Sequence, residues 1–588
     1  MLSENEFLVL NQIRAGEART QRALAEKTGL SLGNVNSIIR QLTDLGYTDS
    51  AGITAAGFKA LEPHKVQNAI IMAAGKSSRF APISYEKPKG TLRVCGEVLI
   101  ERIIRQLHAT GIYDITVVIG YMKEQFLYLE DAFGVSIVVN DYFAERNNNS
   151  TLKLVEHRLG NTYILTSDNY FTQNVFEPYV YHAYYAAVFD QGETEEWCLR
   201  VGAKKRITKV TPGGADSWVM FGEAYFDTVF SQAFVKILDA VYDRPETQPK
   251  LWEDIYADHI KDLDMHIKKY PDGIIYEFDS LDDVRRFDPD FITNIDSSIL
   301  DNICQVLACE RVDITNIAPM EKGLSNLSFY FKVGENEYVY RHPGQITQGI
   351  INRAVEAEIE VIARDLGLDA SFVYQDPVDG WKLSRFVHIK EEFDYHNKEH
   401  VCAGIAMIKK LHGSQKKVDN DFDIHDETEK IKRLLKGSEQ LNFPDFAELD
   451  ARANKLYGLV TAQATQTVLC HCDFYEPNIL VAEDQFYLID WEYAGMSDYA
   501  CDLGVFICCS DYTYDQAIEV FETYFGRPLD AAELFHCIAY TSLAAYYWFV
   551  WALNKEAADA PVGEWLYLWY RFAKEYGIHA ENLLANTQ

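Results

Sequence analysis

Four polar residues in the C-terminal half have the types and spacing for phosphoryl chemistry: His471, Asp473, Asn478 and Asp490. They lie in VLCHCDFYEPNILVAEDQFYLIDWE, residues 468–492, which reads as a short apolar strand, a polar loop, a second strand, a turn and a third strand. An aspartate on a rigid loop can orient or deprotonate a hydroxyl, Asn478 can ligate Mg2+, and Asp490 can hold the metal that bridges phosphates. A second set is spread through the middle of the chain. Gly75-Lys76-Ser77-Ser78-Arg79 follows the apolar run NAIIMAA, Lys89 sits in EKPKG, Asp168 follows YILTS, and GIIYEFD carries Glu277 and Asp279. A Gly/Ser loop presents backbone N–H groups to a triphosphate, while Arg79 and Lys89 neutralise charge gathering on a transferred phosphoryl group. Asp168, Glu277 and Asp279 are oxygen ligands of the kind Mg2+ prefers. The loop is not a Walker A motif, because GxxxxGK[ST] is absent.

These residues need particular elements beneath them. Strands over 68–74, 115–119, 135–140 and 163–165 alternate with helices over 98–110 and 121–133, the signature of a mostly parallel, two-faced α/β sheet. Asp168 then falls at the carboxyl end of a strand, where such sheets bind ligands. Residues 273–279 read as a further strand, with Glu277 and Asp279 on one side. Residues 288–303 read as a linker. Beyond it, strands over 327–333 and 337–341 form a hairpin, and the loop before them carries Ser325 and Asn326, able to fold over a triphosphate. Arg341 ends the second strand, Glu356 lies early in the next helix, and 381–386 is another strand. A helix over 400–411 ends at His412, whose expected role is a structural cap. On a helix over 541–554, Tyr547 and Trp551 share a face, as do Trp548 and Trp551.

The first sixty residues read as helices over 4–12, 20–26 and 32–45 with a small wing, a helix-turn-helix core. The third helix exposes Asn34, Asn36, Ser37, Arg40 and Gln41, all able to meet base edges. Glu4, Glu6, Glu17, Glu26, Asp44 and Asp49 oppose a duplex surface, so DNA binding is expected to be weak or absent.

Bulk properties set bounds. The 588 residues imply several domains, and 48% hydrophobic residues suffice for several cores. A net charge of −33 argues against a long nucleic-acid surface and against attraction to anionic membranes. No signal peptide is read in MLSENEFLVL, and the aromatic-rich stretch at 543–553 is too short to span a bilayer, so a cytoplasmic protein without membrane insertion is expected. The 11 cysteines, irregularly spaced, are expected to be reduced core thiols rather than a tetrahedral metal site.

With these residues in view, two resemblances stand out. Residues 68–288 resemble the phosphocholine cytidylyltransferases of the sugar-nucleotidyltransferase superfamily. AAGKSSRF matches their AAGxGxRF, with Ser77 in place of the second glycine, and SYEKPKGTL, YILTSDNYF and IYEFDSLDD match their lysine and metal-aspartate segments. The resemblance implies CTP against Ala73, Ala74, Gly75, Lys76 and Ser77, catalysis by Lys89 and Arg79, and Mg2+ on Asp168, Glu277 and Asp279. It implies a quaternary ammonium held against aromatic faces, for which Tyr170, Trp218 and Trp252 are the candidates. The last block resembles the choline kinases of the aminoglycoside-phosphotransferase family through HCDFYEPNIL and LIDWEYAG. That resemblance implies Asp473 as base, Asn478 and Asp490 on Mg2+, and ATP against Ser325, Asn326, Arg341 and Glu356. It further implies choline near Glu492, Tyr547, Trp548 and Trp551, with Asp502 supporting the site or the choline.

The expected organisation is a winged helix-turn-helix over 1–64, a Rossmann-like nucleotidyltransferase over 66–300 and a protein-kinase-like phosphotransferase over 305–588, a multidomain α/β and α+β chain. The expected function is choline phosphorylation by ATP, then cytidylyl transfer from CTP to phosphocholine. The alternatives are the same folds acting on ethanolamine or a sugar phosphate, or a ligand-sensing DNA-binding regulator. Homo-oligomerisation is left open.

Overall fold

The computed structural model describes all residues except 1, 17–19, 321–326, 344–351, 436–440, 442–443, 463–466, 559–561 and 586–588. It divides into two compact units, Met1–Asn302 and Ile303–Gln588.

In the first unit, helices Glu4–Ala15, Gln21–Thr28 and Leu32–Asp44 each start at a Ser or Thr whose hydroxyl accepts a backbone N–H of the first turn. A two-strand wing, Thr48–Asp49 with Gly52–Ile53, and the helix Ala55–Leu61 complete the module. Its core of Phe7, Val9, Leu10, Leu24, Val35, Ile38, Leu42 and Leu61 includes a residue from much later in the chain, Tyr179. Arg14 lies over the Tyr179 ring at 4.8 Å, and the Tyr181 hydroxyl donates to Leu2 O at 3.0 Å. The small helical region is therefore docked on the block that follows it.

That block is a mixed, Rossmann-like α/β domain. Its seven-stranded sheet runs Ser136–Val139, Ile115–Ile119, Asn68–Ala73, Thr162–Thr166, Ile207–Phe226, Tyr184–Val201, His266–Lys269. The first four strands are mutually parallel, but Ile207–Phe226 is antiparallel to both its neighbours. Alternate residues of the central strand serve two cores: Ala69, Ile71 and Ala73 on one face, Ile70 and Met72 on the other.

The sheet is mostly parallel, as expected: within it only Ile207–Phe226, the second arm of the long hairpin, runs against the other strands. Three expectations are corrected here. The helix expected over 121–133 breaks into Lys123–Phe126 and Tyr128–Phe133 after Met122, which adopts a left-handed φ of 46°. The strand expected over 273–279 covers only Ile275–Glu277; it pairs with Asn169–Phe171 outside the main sheet, and Asp279 follows it. The linker expected over 288–303 contains helices Phe291–Asn294 and the start of Ser298–Leu307, with Phe291, Ile292, Ile299, Leu300 and Ile303 buried.

The second unit is a larger kinase-like α/β domain. A five-stranded antiparallel sheet, Ile314–Met320, Leu327–Val333, Asn336–His342, Lys382–Arg385, Phe372–Gln375, carries the helix Arg353–Asp365. Short strands then frame the polar loop, and a helical lobe includes Lys398–His412, Ala500–Cys508, Ala531–Ala557 and Glu564–Ala585. Gly504 lets Ala500–Cys508 cross Ala531–Ala557 closely: a Cβ there would sit 2.7 Å from Tyr540 O. Among the described residues no helix is long and apolar enough to cross a membrane.

Candidate functional site

In the middle block, the parallel strands Asn68–Ala73 and Thr162–Thr166 end on a cleft of about 190 Å³. Ala73, Ala74, Gly75, Ser77, Lys89 and Asp168 line it. Ser77 adopts a left-handed φ of 50°, the conformation a glycine would take without strain. Lys89 is buried and its Nζ donates to Asp168 Oδ2 at 2.9 Å. Burial works against the Lys89 charge, but Asp168, helped by Glu277 and Asp279, outweighs it and raises the lysine pKa. Burial likewise opposes the Asp168 charge, and Lys89 overcomes it to hold that carboxyl below its usual range. Glu277 gets less relief: burial and the neighbouring Asp168 outweigh the attraction of Lys89 and push it up to about 8. Arg79 is mostly exposed and pairs with Asp279 at 3.0 Å. Lys76 is not among the cleft-lining residues; its Nζ lies 5.9 Å over the Phe143 ring.

The aromatic candidates of this block are not brought together. Trp252 is a core residue, stacked on Tyr185 at 5.7 Å and edge-on to Phe226 at 5.1 Å. Tyr170 faces Phe287 and takes the Arg102 guanidinium on its ring. Trp218 carries the chain's own cation, with Lys269 Nζ 4.3 Å from its ring centroid. None of the three lines the cleft. Sequence reasoning missed Asn140, Phe143, Arg146, Asn148 and Thr151, which do. The available signal was a run of Asn, Ser and Thr just beyond the end of a sheet strand.

In the second unit the polar loop is tied down by its backbone. Asp502 is fully buried; its Oδ2 accepts from His471 N at 2.9 Å, and its Oδ1 accepts from Cys472 N at 2.6 Å. His412 Nε2 also meets Asp502 Oδ2 at 2.9 Å, so His412 braces the loop through Asp502. His412, Cys470 and Asp502 bring three potential ligand atoms within 4.8 Å of one another, a group that could hold a metal ion. That grouping was missed by the expectation of inert core thiols; Asp502 and His412 are engaged in the hydrogen bonds just described, and Cys470 Sγ meets His412 Nε2 at 3.6 Å and donates to Asp498 O at 3.4 Å. His471 Nε2 bonds to Ile489 O at 3.0 Å, linking the loop to the residue before Asp490. Asn478 Nδ2 donates to Asp473 Oδ2 and Asp473 O, both at 2.9 Å, leaving the amide oxygen to face elsewhere.

Arg341, from the strand Asn336–His342, donates to Asp490 Oδ1 at 3.0 Å and to Glu356 on the helix. Arg353 adds a 2.7 Å bond to Glu356. Burial opposes the Glu356 charge, but Arg341 and Arg353 dominate and hold its pKa at about 2. Burial, then Asp490, raises Asp473 well above the carboxylate range, and the same two causes push Glu492 up to about 7. Tyr547 and Trp548 are buried; Trp548 packs edge-on to Tyr493 at 6.1 Å, beside Glu492. The Trp551 ring has Lys555 Nζ 5.0 Å from its centroid. Tyr493 and Tyr475, both electrostatically coupled to Asp473, were missed. Ser325 and Asn326 lie outside the described residues.

Three family models match in the same order along the chain. Residues 2–47 match a winged helix-turn-helix DNA-binding model, 69–206 the MobA-like NTP transferase domain, and 316–544 the phosphotransferase enzyme family. A choline-phosphate cytidylyltransferase of Streptococcus pneumoniae is 33% identical over 220 residues, 37% of this chain and 96% of that protein. The chain belongs to the MobA-like NTP transferase family. A 2-aminoethylphosphonate cytidylyltransferase of Lancefieldella rimae is 31% identical over 229 residues, covering 38% of this chain and 93% of the relative. For the C-terminal block, protein LicA of Haemophilus influenzae is 24% identical over 256 residues, 41% and 94% of the two chains. A helix-turn-helix module, a MobA-like nucleotidyltransferase domain and a choline-kinase-like phosphotransferase domain are thus fused in one chain, and the two larger blocks are enzyme domains.

Proposed function

We propose that this chain makes CDP-choline in two steps: phosphorylation of choline by ATP in the C-terminal block, then transfer of a cytidylyl group from CTP to phosphocholine in the middle block, with release of pyrophosphate. The domains of this reading are 1–64, 66–300 and 305–588, and its setting is the cytoplasm, where both nucleotides are made. The observation that carries it is the coexistence of two charged sites of complementary chemistry, Asp473–Asn478–Asp490 beside Arg341, and Lys89–Asp168 beside Glu277. The product of the first is the substrate of the second.

Asp473 accepts the alcohol proton as the oxygen attacks the γ-phosphorus, and Arg341, positioned by Glu356, binds the departing nucleotide's phosphates. In the middle block the phosphate of phosphocholine is already anionic, so no base is required. Its oxygen attacks the α-phosphorus while Lys89 and Arg79 neutralise developing charge and the loop at 75–77 orients the triphosphate. Both sites suit Mg2+: Asp168 has a buried oxygen without a partner, and burial together with a neighbouring carboxylate, Asp168 in one site and Asp490 in the other, raises Glu277 and Asp473. Asp168, Glu277 and Asp279 would hold it in one site, Asn478 and Asp490 in the other, and it would supply charge neutralisation on the phosphates.

A second reading keeps both steps with ethanolamine in place of choline, or keeps only the cytidylyl transfer with 2-aminoethylphosphonate, whose phosphonate is already anionic and which has no hydroxyl for the kinase. It is favoured by Lys269 already covering Trp218 and by Trp252 lying in the core. Incubation with ATP, CTP, Mg2+ and each amine in turn, with products read by mass, separates the two. CDP-choline as the main product supports the first reading, and its absence with turnover of an unmethylated amine overturns it.

A further inference from the structure

Glu86 lies at the head of the EKPKG loop that carries Lys89, yet its carboxylate is committed to the far end of the unit. Oε1 accepts from Ser298 N at 2.7 Å, Ser298 Oγ at 2.6 Å and Ile299 N at 3.2 Å, while Oε2 accepts from Ser297 Oγ. These are the first N–H groups of the helix Ser298–Leu307, which lack partners within the helix. A negative charge there also meets the positive end of the helix dipole. Lys87 adds a 3.1 Å contact to Asp296. On the other side the loop is held by Gln125 Nε2, which donates to Glu86 O at 2.9 Å, and by Tyr121, whose hydroxyl donates to Ser84 O at 2.9 Å.

Beyond Glu86 the backbone has little freedom. Thr91 N and Oγ1 both bond to Pro88 O, and Leu92 N bonds to Lys89 O. Gly90 sits so close to Ser167 that an added Cβ would lie 2.7 Å from the serine Cβ. Ser167 precedes Asp168, the partner of Lys89. A shift of the loop at Glu86 therefore has no slack in which to dissipate before it reaches the Lys89–Asp168 contact.

We propose that Glu86 is a positioning residue for nucleotidyl transfer: by capping the helix that starts at Ser298 it fixes the Lys89 loop, making residues 296–299 a working part of the site. The proposal rests on the reading of Lys89 given above. It concerns a segment that lies beyond every sequence motif of the transferase and that the sequence reads as a linker.

The test uses the full chain as Glu86→Ala, Glu86→Gln and the double variant Ser297→Ala/Ser298→Ala, which loosens the clamp from its other side. Displacing a reacting group by about 1 Å costs on the order of 100-fold, so kcat for pyrophosphate release should fall about 10- to 100-fold in Glu86→Ala. KM for CTP should change far less, and phosphoryl transfer by the same molecule should stay at the parental rate. Glu86→Gln, retaining one acceptor oxygen, should recover part of the loss. Lys89 acetylation by dilute acetic anhydride, read by mass spectrometry, gives a measure independent of turnover. Lys89 is buried in the parent, and freeing its loop should expose it and speed labelling severalfold. Should Glu86→Ala fail to fold, shown by loss of the N-terminal unit's urea transition, the serine double variant carries the same two readouts. Parental kcat and parental Lys89 labelling in a folded variant would overturn the proposal. If the parent transfers no cytidylyl group at all, the functional reading falls, and the labelling alone still decides whether Glu86 positions Lys89.

Discussion

Arg341 reaches Asp490 Oδ1 across 3.0 Å while its other arm holds Glu356, so one guanidinium joins the sheet, the helix and the end of the polar segment that carries Asp473. Truncation in Arg341→Ala leaves buried Glu356 with Arg353 alone. Breaking a buried pair costs about 3–5 kcal/mol, and the remaining arginine places this case near the lower end. Urea unfolding of the C-terminal unit should shift accordingly, with phosphoryl transfer at least tenfold slower. Arg341→Lys keeps charge but not the two-armed geometry and should fall between. Parental stability and turnover in Arg341→Ala would remove this residue from the site.

Asp473→Asn is expected to lower phosphoryl transfer by ~10²–10⁴-fold, the usual worth of a general base. ATP binding, measured calorimetrically, should be little changed, and pyrophosphate release from CTP should continue at the parental rate. Retention of near-full kinase turnover would leave Glu492 as the next carboxylate to examine.

For the middle block, Asp168→Ala and Lys89→Ala should each abolish measurable cytidylyl transfer while leaving the kinase reaction intact. The two differ in their effect on Glu277. Loss of Asp168 removes a repelling charge, so the Glu277 pKa should drop from about 8; loss of Lys89 removes an attraction and should raise it further. Carboxyl titration by NMR with labelled glutamate checks both signs.

Glu253 offers a pH signature of stability. Burial pushes it to about 7, against 4.5 for the free side chain, with Asn148 and Tyr185 as its side-chain hydrogen-bond partners. Its folded pKa is raised, so its contribution is fully present below about 4.5 and is lost as pH climbs through 7. The difference of about 2.5 units corresponds to about 3 kcal/mol. Glu253→Gln should therefore flatten the loss of stability of the N-terminal unit between pH 5 and 8, read from urea midpoints. An unchanged profile would exclude Glu253 as its source.

The winged module should be hard to remove and weak on DNA. Deleting residues 2–61 uncovers Tyr179 and Tyr181, and the transferase block should lose thermal stability. Against random duplexes at 0.15 M salt, the intact chain should show nothing tighter than the micromolar non-specific range. Nanomolar affinity for one sequence, lost in Arg40→Ala, would reverse that expectation.

What the sequence revealed follows from how local each signal is. Asp473, Asn478 and Asp490 share one short segment whose strands and loop fold as their pattern says. Asp168 was legible because it follows a strongly apolar strand of the sheet, and Lys89 because it stands in the short EKPKG loop. The long hairpin was not, because only its base is steadily buried and the period-2 pattern fades along Asp190–Glu196. Helix 291–294 and the one after it hid behind Asp and Asn, residues that signal turns and equally serve as helix caps. The aromatic walls failed for a different reason. Ring type says nothing about which face of a strand or helix is turned to a cleft, and Trp252 turned to the core.

The helix Ser298–Leu307 begins in one compact unit and ends in the other. A gene fusion made by abutting a transferase that stopped near residue 287 with a kinase that began near residue 314 would have lacked this helix and left Glu86 with no donors to cap. Splitting the gene meets the same obstacle: a transferase block expressed to residue 287 discards the partner of its own Lys89 loop, whereas one expressed to residue 302 keeps it.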